Sequence, residues 1–326
     1  MRAVQVVARG QAEFVEMAEP DLQPGHVLIR TSHLSLCGSD IQMLHYAAEA
    51  SYPFPPGTTG HEMVGVVEAV GDGASPFAVG DRVLALAPGH LAMCECFLAP
   101  FEHVVPLPNG LTMEILLQAQ QLGTVLYASR RLPDITGKNV AVIGQGSAGL
   151  WFNFHLRRLG AKRVVAIDIE QFRLARSKAF GATHVINNSE ADPQRELRDP
   201  FEGELADLVV EAAGEIESIN LAIDLVRPFG EILFFGYPRS QVFPINFDQL
   251  FHKCCRATTI VGAASEPGLK SMHEAVHLIA TGEADAKSLI THRVGFEQVI
   301  EAYELHRTRA DGAVKIVVEM PGAVSP

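Results

Sequence analysis

Two short runs early in the chain carry the side chains best suited to chemistry, Cys37-Gly38-Ser39-Asp40 and Gly60-His61-Glu62. A thiolate and an imidazole are preferred ligands of zinc, and three protein ligands with one open position are what a catalytic zinc site keeps. Taken singly, Cys37 also reads as an inert buried thiol and His61 as a hydrogen-bonded core histidine. The pair gains meaning from a second motif in mid-chain. There the apolar run Val140-Ala141-Val142-Ile143 leads into Gly144-Gln145-Gly146-Ser147-Ala148-Gly149, an apolar helix to Leu159, a second apolar run ending at Ile167, and Asp168. In that order, Gly144 suits a tight turn, Gly146 lets backbone approach a pyrophosphate, and Gly149 allows a helix to pack closely on its strand. The helix N-terminus then faces the phosphates, where its dipole favours negative charge. Asp168 falls where a carboxylate accepts from both ribose hydroxyls and repels a 2'-phosphate, which points to NAD and not NADP.

The elements that must position these groups fall into two kinds. From Met1 to about Leu117 the chain is rich in short β-type runs, for example 27–30, 64–70 and 82–86, separated by turn signals such as Gln23-Pro24-Gly25 and Val79-Gly80-Asp81. This reads as a β-rich domain shaped as a small distorted barrel. After a helical stretch near 114–128, strands and helices alternate, with strands expected at 140–143, 164–167, 184–186, 208–210, 232–235 and 259–261. Helical spacing at 170–180 and 216–226 completes a doubly wound parallel sheet. The tail carries an amphipathic helix, a second helix at 296–306 and a closing strand at 314–319, and it is expected to return to the first domain because a finished sheet has no place for it. The expected division is therefore 1–122, 123–264 and 265–326, an α/β chain with its β-rich domain in two pieces.

Composition narrows the partners. At 326 residues the chain has room for two cores, and a net charge of −12 argues against nucleic acid or an anionic membrane, both of which need a cationic face. A small-molecule substrate fits better. No secretion signal opens the chain and no apolar run reaches bilayer length, so a soluble cytoplasmic protein is expected. Five scattered cysteines do not form a disulfide framework.

With these motifs in place, the chain resembles the zinc-type medium-chain alcohol and polyol (sorbitol-like) dehydrogenases over nearly its whole length. Cys37-Gly38-Ser39-Asp40, Gly60-His61-Glu62, Val79-Gly80-Asp81-Arg82-Val83, the glycine fingerprint, Asp168, Glu211-Ala212-Ala213-Gly214 and Ile290-Thr291-His292-Arg293 carry the likeness. The resemblance implies a GroES-like catalytic domain and a Rossmann nucleotide-binding domain. It implies that Cys37 and His61 hold a catalytic zinc, with Asp40 orienting the site, Glu62 beside the metal and Ser39 passing the alcohol proton outward. It also implies that Ala148, Asp168 and Arg173 contact the adenosine half of NAD, and backbone at Phe235, Gly236 and Ala263 the nicotinamide half. Lys315 is implied near the cofactor phosphates and Glu62, and the family's habit of pairing nucleotide sheets implies a homodimer or homotetramer.

Three departures qualify the likeness. The family's third zinc ligand falls about 24 residues before the first fingerprint glycine, which lands here on Gln120, a weak amide ligand. Glu62 is the alternative third ligand, with lowered zinc affinity as a consequence. Gln42 stands where many relatives relay the proton through histidine, leaving His45, His33 or water to finish the relay. Only Cys94 and Cys96 occupy the region of the family's four-cysteine lobe, so no structural zinc is expected. The primary reading is an NAD-dependent zinc dehydrogenase that oxidises a secondary alcohol or polyol, or reduces the ketone. Two rivals stand beside it: a zinc-independent quinone or alkene reductase of the same superfamily, and a non-catalytic NAD-binding protein.

Overall fold

The computed structural model describes residues 1–73 and 76–323. Two compact units divide the chain, one comprising Met1–Thr124 with the returning segment from Gly262, the other Val125–Val261.

In the first unit, β1 (Arg2–Ala8) and β2 (Gln11–Glu16) form an antiparallel pair, and β3 (His26–Ser35) leads into the short helix α1 (Gly38–His45). Then come β4 (Glu62–Val70), β5 (Arg82–Leu86), β6 (Cys96–Pro100), β7 (Val104–Pro106) and helices α2 (Met113–Leu117) and α3 (Ala119–Ser129), of which α3 belongs to the second unit from Val125 onward. The second unit holds β8 (Asn139–Ile143), α4 (Ser147–Arg158), β9 (Arg163–Asp168), α5 (Gln171–Ser177), β10 (His184–Asn187), α6 (Pro193–Glu196), β11 (Ala206–Glu211), α7 (Ile216–Leu225), β12 (Val226–Phe234), α8 (Phe247–His252) and β13 (Arg256–Thr259). Helix α9 (Lys270–Ala280), β14 (His292–Gly295), α10 (Val299–Thr308) and β15 (Ile316–Glu319) then return to the first unit.

That return builds part of the main sheet. The seven-stranded sheet runs β14-β15-β3-β4-β5-β7, with β6 also paired to β3, so the last strand of the chain lies antiparallel beside β3 with Val317 opposite Ser35. Phe296, Val299, Tyr303, Ile316 and Val318 from the tail share one buried core with Ile29, Leu34, Met63 and Val83. Full burial of each such side chain contributes roughly 1.5–3 kcal/mol. The tail thus supplies part of the interior against which the site-bearing strands pack.

In the second unit a six-stranded sheet runs β10-β9-β8-β11-β12-β13 with all neighbours parallel. Val140, Ala141, Val142, Val164, Val165, Ala166 and Ile167 are fully buried, as expected of strands covered on both faces. From β8 the chain winds first toward β10 and then, after β11, toward β13. The switch beside β8 is where a doubly wound sheet opens a crevice for a ligand.

Three boundaries differ from the sequence reading. The final strand of this sheet ends at Thr259, and Val261 lies outside it and 87% exposed, because the register with β12 runs out at Phe234 opposite Thr259. The stretch near 114–128 is two helices, broken at Gln118, whose side-chain amide donates back to Glu114 O at 3.1 Å in competition with regular helix bonding. Helix α5 stops at Ser177, where the hydroxyl donates to Gln145 Oε1 at 2.8 Å.

Candidate active site

Helix α1 begins at Cys37, its N-cap, and Asp40 accepts from the Cys37 backbone N–H at 2.7 Å. This ties the thiol and the carboxylate into one rigid turn. Cys37 follows β3, and Leu36 N donates to Ile316 O at 3.0 Å, so the tail strand also fixes where the thiol stands. His61 and Glu62 come from the start of β4, one strand over.

The other oxygen of Asp40 lies 3.3 Å from His61 Nδ1. Asp40 is fully buried, which opposes its charge, yet His61 and then His90 beside it hold its carboxyl well below the usual carboxylate range. Burial likewise opposes a charged His61 ring, but Asp40 and Cys37 more than offset it and push its pKa up. With Nδ1 on Asp40, the ring presents Nε2 to Glu62 Oε1, 3.8 Å away. The ligand atoms of Cys37, His61 and Glu62 all fall within 4.8 Å of one another.

Glu62 is held asymmetrically. Its Oε2 accepts from the Ser35 hydroxyl and from Lys315 Nζ at 2.5 Å, while Oε1, buried, has no hydrogen-bond partner. Lys315 is itself fully buried and has a second contact at Leu36 O, 3.4 Å away. A buried carboxylate oxygen without a partner is costly unless something cationic completes it. Thiol, imidazole and carboxylate facing one point form a donor set that zinc accepts, so these residues fit the metal that the sequence implies. Asp40 on the far ring nitrogen is the carboxylate that such a histidine ligand requires to fix its tautomer.

The neighbouring positions depart from the counted ones. The amide set against the Cys37 sulfur belongs to Gln121, whose Nε2 lies 3.9 Å from Sγ. Gln120 is buried too, and its carbonyl accepts from Thr124 at 3.1 Å. Ser39 Oγ and Gln42 Oε1 are buried without partners. His33 is engaged with Ser32 Oγ at 2.8 Å, and the histidine packed on the site is His90, its ring centroid 4.3 Å from that of His61 and its Nδ1 3.8 Å from Asp40. Sequence reasoning passed over His90, whose only local signal is a Pro-Gly-His turn with φ +55 at the histidine. Cys94 and Cys96 are buried, and the Cys94 thiol donates to Cys96 O at 3.1 Å.

In the nucleotide unit Gly144 sits at φ +89, and a Cβ on Gly149 would overlap the Gly144 carbonyl, so both positions demand glycine. Helix α4 starts at Gly146 with no side chain capping it, leaving its first N–H groups for an anion. Ala148 lies in that first turn, and Arg173 has a guanidinium nitrogen 3.8 Å from where a Gly146 Cβ would be. Asp168 is buried, with one oxygen on Gln145 N at 2.5 Å and the other on Glu170 N at 2.8 Å. It therefore ties the glycine loop to the end of β9 while keeping lone pairs on both oxygens. Gln145 Oε1 accepts from Asn153 at 2.7 Å and from Ser177 at 2.8 Å, which stiffens the loop from beneath. The backbone N–H groups of Phe235 and Gly236 both donate to Glu211 O, at 2.8 and 3.0 Å. Ala263, in the returning segment, accepts from Glu266 N at 3.0 Å.

A thiolate, imidazole and carboxylate converging in a β-rich unit, in one chain with a doubly wound dinucleotide sheet, define a metal-type two-domain dehydrogenase. Residues 149–281 match the zinc-binding dehydrogenase family and residues 23–116 the GroES-like domain of alcohol dehydrogenases, and the chain belongs to this family. It is 28% identical to a probable D-xylulose reductase A of Aspergillus clavatus, across 94% of this chain and 93% of that one. It is 27% identical to an L-threonine 3-dehydrogenase of Mesorhizobium japonicum, across 92% and 93% of the two chains. Among solved structures, alcohol dehydrogenase TADH from Thermus sp. ATN1 superposes with a TM-score of 0.83 at 27% identity, covering 98% of this chain and 100% of that one.

The buried pair Lys315–Glu62 makes a direct prediction. Lys315→Met keeps the volume but strands a buried carboxylate, and should lower the stability of the metal-free protein by about 3–5 kcal/mol in urea unfolding. A loss below about 1 kcal/mol would mean the pair is not the buried contact described.

Proposed function

We propose that this protein is an NAD-dependent dehydrogenase that oxidises a secondary alcohol or polyol, or reduces the matching ketone. The observation that carries the reading is the buried, unpartnered Glu62 Oε1 facing Cys37 and His61. Zinc held there supplies a Lewis acid for the substrate oxygen, and NAD supplies the hydride acceptor. The chain's own part is to arrange the rest. Cys37, His61 and Glu62 provide the donor set, with Gln120 retained from the sequence as a further ligand candidate. Asp40 fixes the His61 tautomer through Nδ1. Ser39 Oγ, buried and unpartnered at the start of α1, would take the alcohol proton while its own hydroxyl proton moves on. Gln42 cannot titrate, so that proton passes to water or to one of His45 and His33. Gly144, Gly146, Ala148 and Gly149 cradle the pyrophosphate, Asp168 and Arg173 the adenosine half, and backbone at Phe235, Gly236 and Ala263 the nicotinamide half. Lys315 serves Glu62, and its full burial against Glu62 and Leu36 O sets aside the phosphate contact that the resemblance implied. A metal-free reductase has no use for a half-satisfied carboxylate beside a thiol and an imidazole, which is why the zinc reading is preferred.

Among the described residues no helix is long and apolar enough to cross a membrane, and the free thiols suit a reducing cytoplasm. A homodimer or homotetramer is supported by the open edge of β13, which among the described residues pairs only with β12 and has exposed Val242, Phe247, Phe251 and Val261 near it in sequence. Val261→Asp should convert the dimer to monomer in sedimentation velocity; an unchanged boundary would move the interface elsewhere.

Activity and cofactor choice are checked together. Zinc-loaded protein should reduce NAD with at least one member of a polyol and secondary-alcohol panel, and cofactor binding without turnover on any member would favour the non-catalytic reading. Asp168→Ser should raise the NADP to NAD ratio of kcat/KM by roughly tenfold or more, since a like-charge contact with the 2'-phosphate is removed. An unchanged ratio would remove Asp168 from the ribose.

A further inference from the structure

The segment that delivers His61 is held in an unfavourable backbone conformation. Thr59, fully buried, has φ +93. That region crowds any Cβ and is hardest on a β-branched residue, so a threonine stays there only if its surroundings hold it. The backbone on either side is anchored: Gly57 O accepts from Met93 N at 2.9 Å and Gly60 O from Ala92 N at 3.0 Å. The Thr59 side chain reaches the other way, and its hydroxyl is hydrogen-bonded to the phenol of Tyr303. Tyr303 stands on α10, 244 residues away in sequence, and is 1% exposed among the apolar side chains of the tail core. Burial pushes its pKa up, outweighing the Thr59 hydrogen bond that lowers it, and the charge of Asp40 adds to the rise, so the phenol stays neutral within electrostatic reach of the carboxylate that holds His61. Two hydroxyls in an apolar core are costly unless they satisfy each other, and a phenylalanine would pack there without that cost.

We infer that the Tyr303 and Thr59 hydroxyls form a positioning pair, in which the returning tail holds the strained turn at residue 59 so that His61 keeps Nδ1 on Asp40 and Nε2 toward Cys37 and Glu62. The inference rests on the zinc reading of the site. Neither residue is among the candidate ligands; both act through His61. The pair also gives the tail a stake in the site separate from that of Lys315, which acts on Glu62.

Cobalt serves as the probe, because its visible bands report ligand geometry and its affinity can be read by chelator competition on the full chain. Tyr303→Phe and Thr59→Val should each weaken cobalt binding by about 10- to 100-fold and shift its bands, the cost usual for removing a group that orients a metal-ligating histidine. Thr59→Ser keeps the hydroxyl and should bind like the parent. The double variant Tyr303→Phe/Thr59→Val should be no weaker than the worse single, since each single already breaks the same bond. If Tyr303→Phe fails to fold, the valine and serine variants at position 59 make the same comparison. A purely structural role would lower the melting temperature of these variants while leaving affinity and spectrum as in the parent, and that outcome overturns the inference alone. A parent that takes up no cobalt overturns the zinc reading and this inference with it.

Discussion

A buried carboxylate is the most demanding group in this fold, and Glu62 is where the chain meets that demand. Lys315 and Ser35 satisfy one of its oxygens. They can do so because β3 and β4 set Ser35 beside Glu62, and Lys315 directly precedes β15, the neighbour of β3. Val317 pairs with Ser35 across β15 and β3, and Leu34 pairs with Met63 across β3 and β4. A slip of one residue in either register would turn these side chains to the opposite face and leave Glu62 charged and alone. The satisfied oxygen fixes the side chain, and the open one is left for the zinc proposed above. Stability and function thus make opposite demands on the two oxygens of one carboxylate.

The same dependence explains why the chain returns to its first unit. The tail delivers Lys315 to Glu62, Ile316 O to the backbone before Cys37, and Tyr303 to Thr59. Three of the groups that set the proposed metal site therefore come from residues far along the sequence. In the nucleotide unit the arrangement is more local. Gln145, Asn153 and Ser177 brace the glycine loop from beneath and Asp168 ties it to β9, so most of the support lies within one βαβ unit.

What the sequence disclosed mirrors that contrast. The glycine fingerprint, the acid after the second strand and the alternation of strands and helices were legible because their spacing is local and periodic, and the sheet order agrees with the doubly wound reading. Cys37, His61 and Glu62 were legible as residue types suited to zinc, but their convergence depends on strand pairing, which no local pattern encodes. Counting residues led to Gln120, which is buried beside Gln121, and it is the Gln121 amide that lies 3.9 Å from the Cys37 sulfur. Adjacent helical residues point about 100° apart, so a count along the chain does not tell which of the two sets its amide against Cys37. His90 was missed because a turn residue with positive φ has no periodic signature. Thr59 and Tyr303 were missed because a hydroxyl pair 244 residues apart leaves no trace in either neighbourhood.

The most direct test is a zinc titration of metal-free protein and of two variants, Glu62→Ala and Gln120→Ala. The expected result is a single zinc in the parent, a loss of affinity of about a hundredfold or more in Glu62→Ala, and near-parent binding in Gln120→Ala. Unchanged binding in Glu62→Ala, with the loss falling on Gln120→Ala, would contradict the role given to the half-satisfied carboxylate.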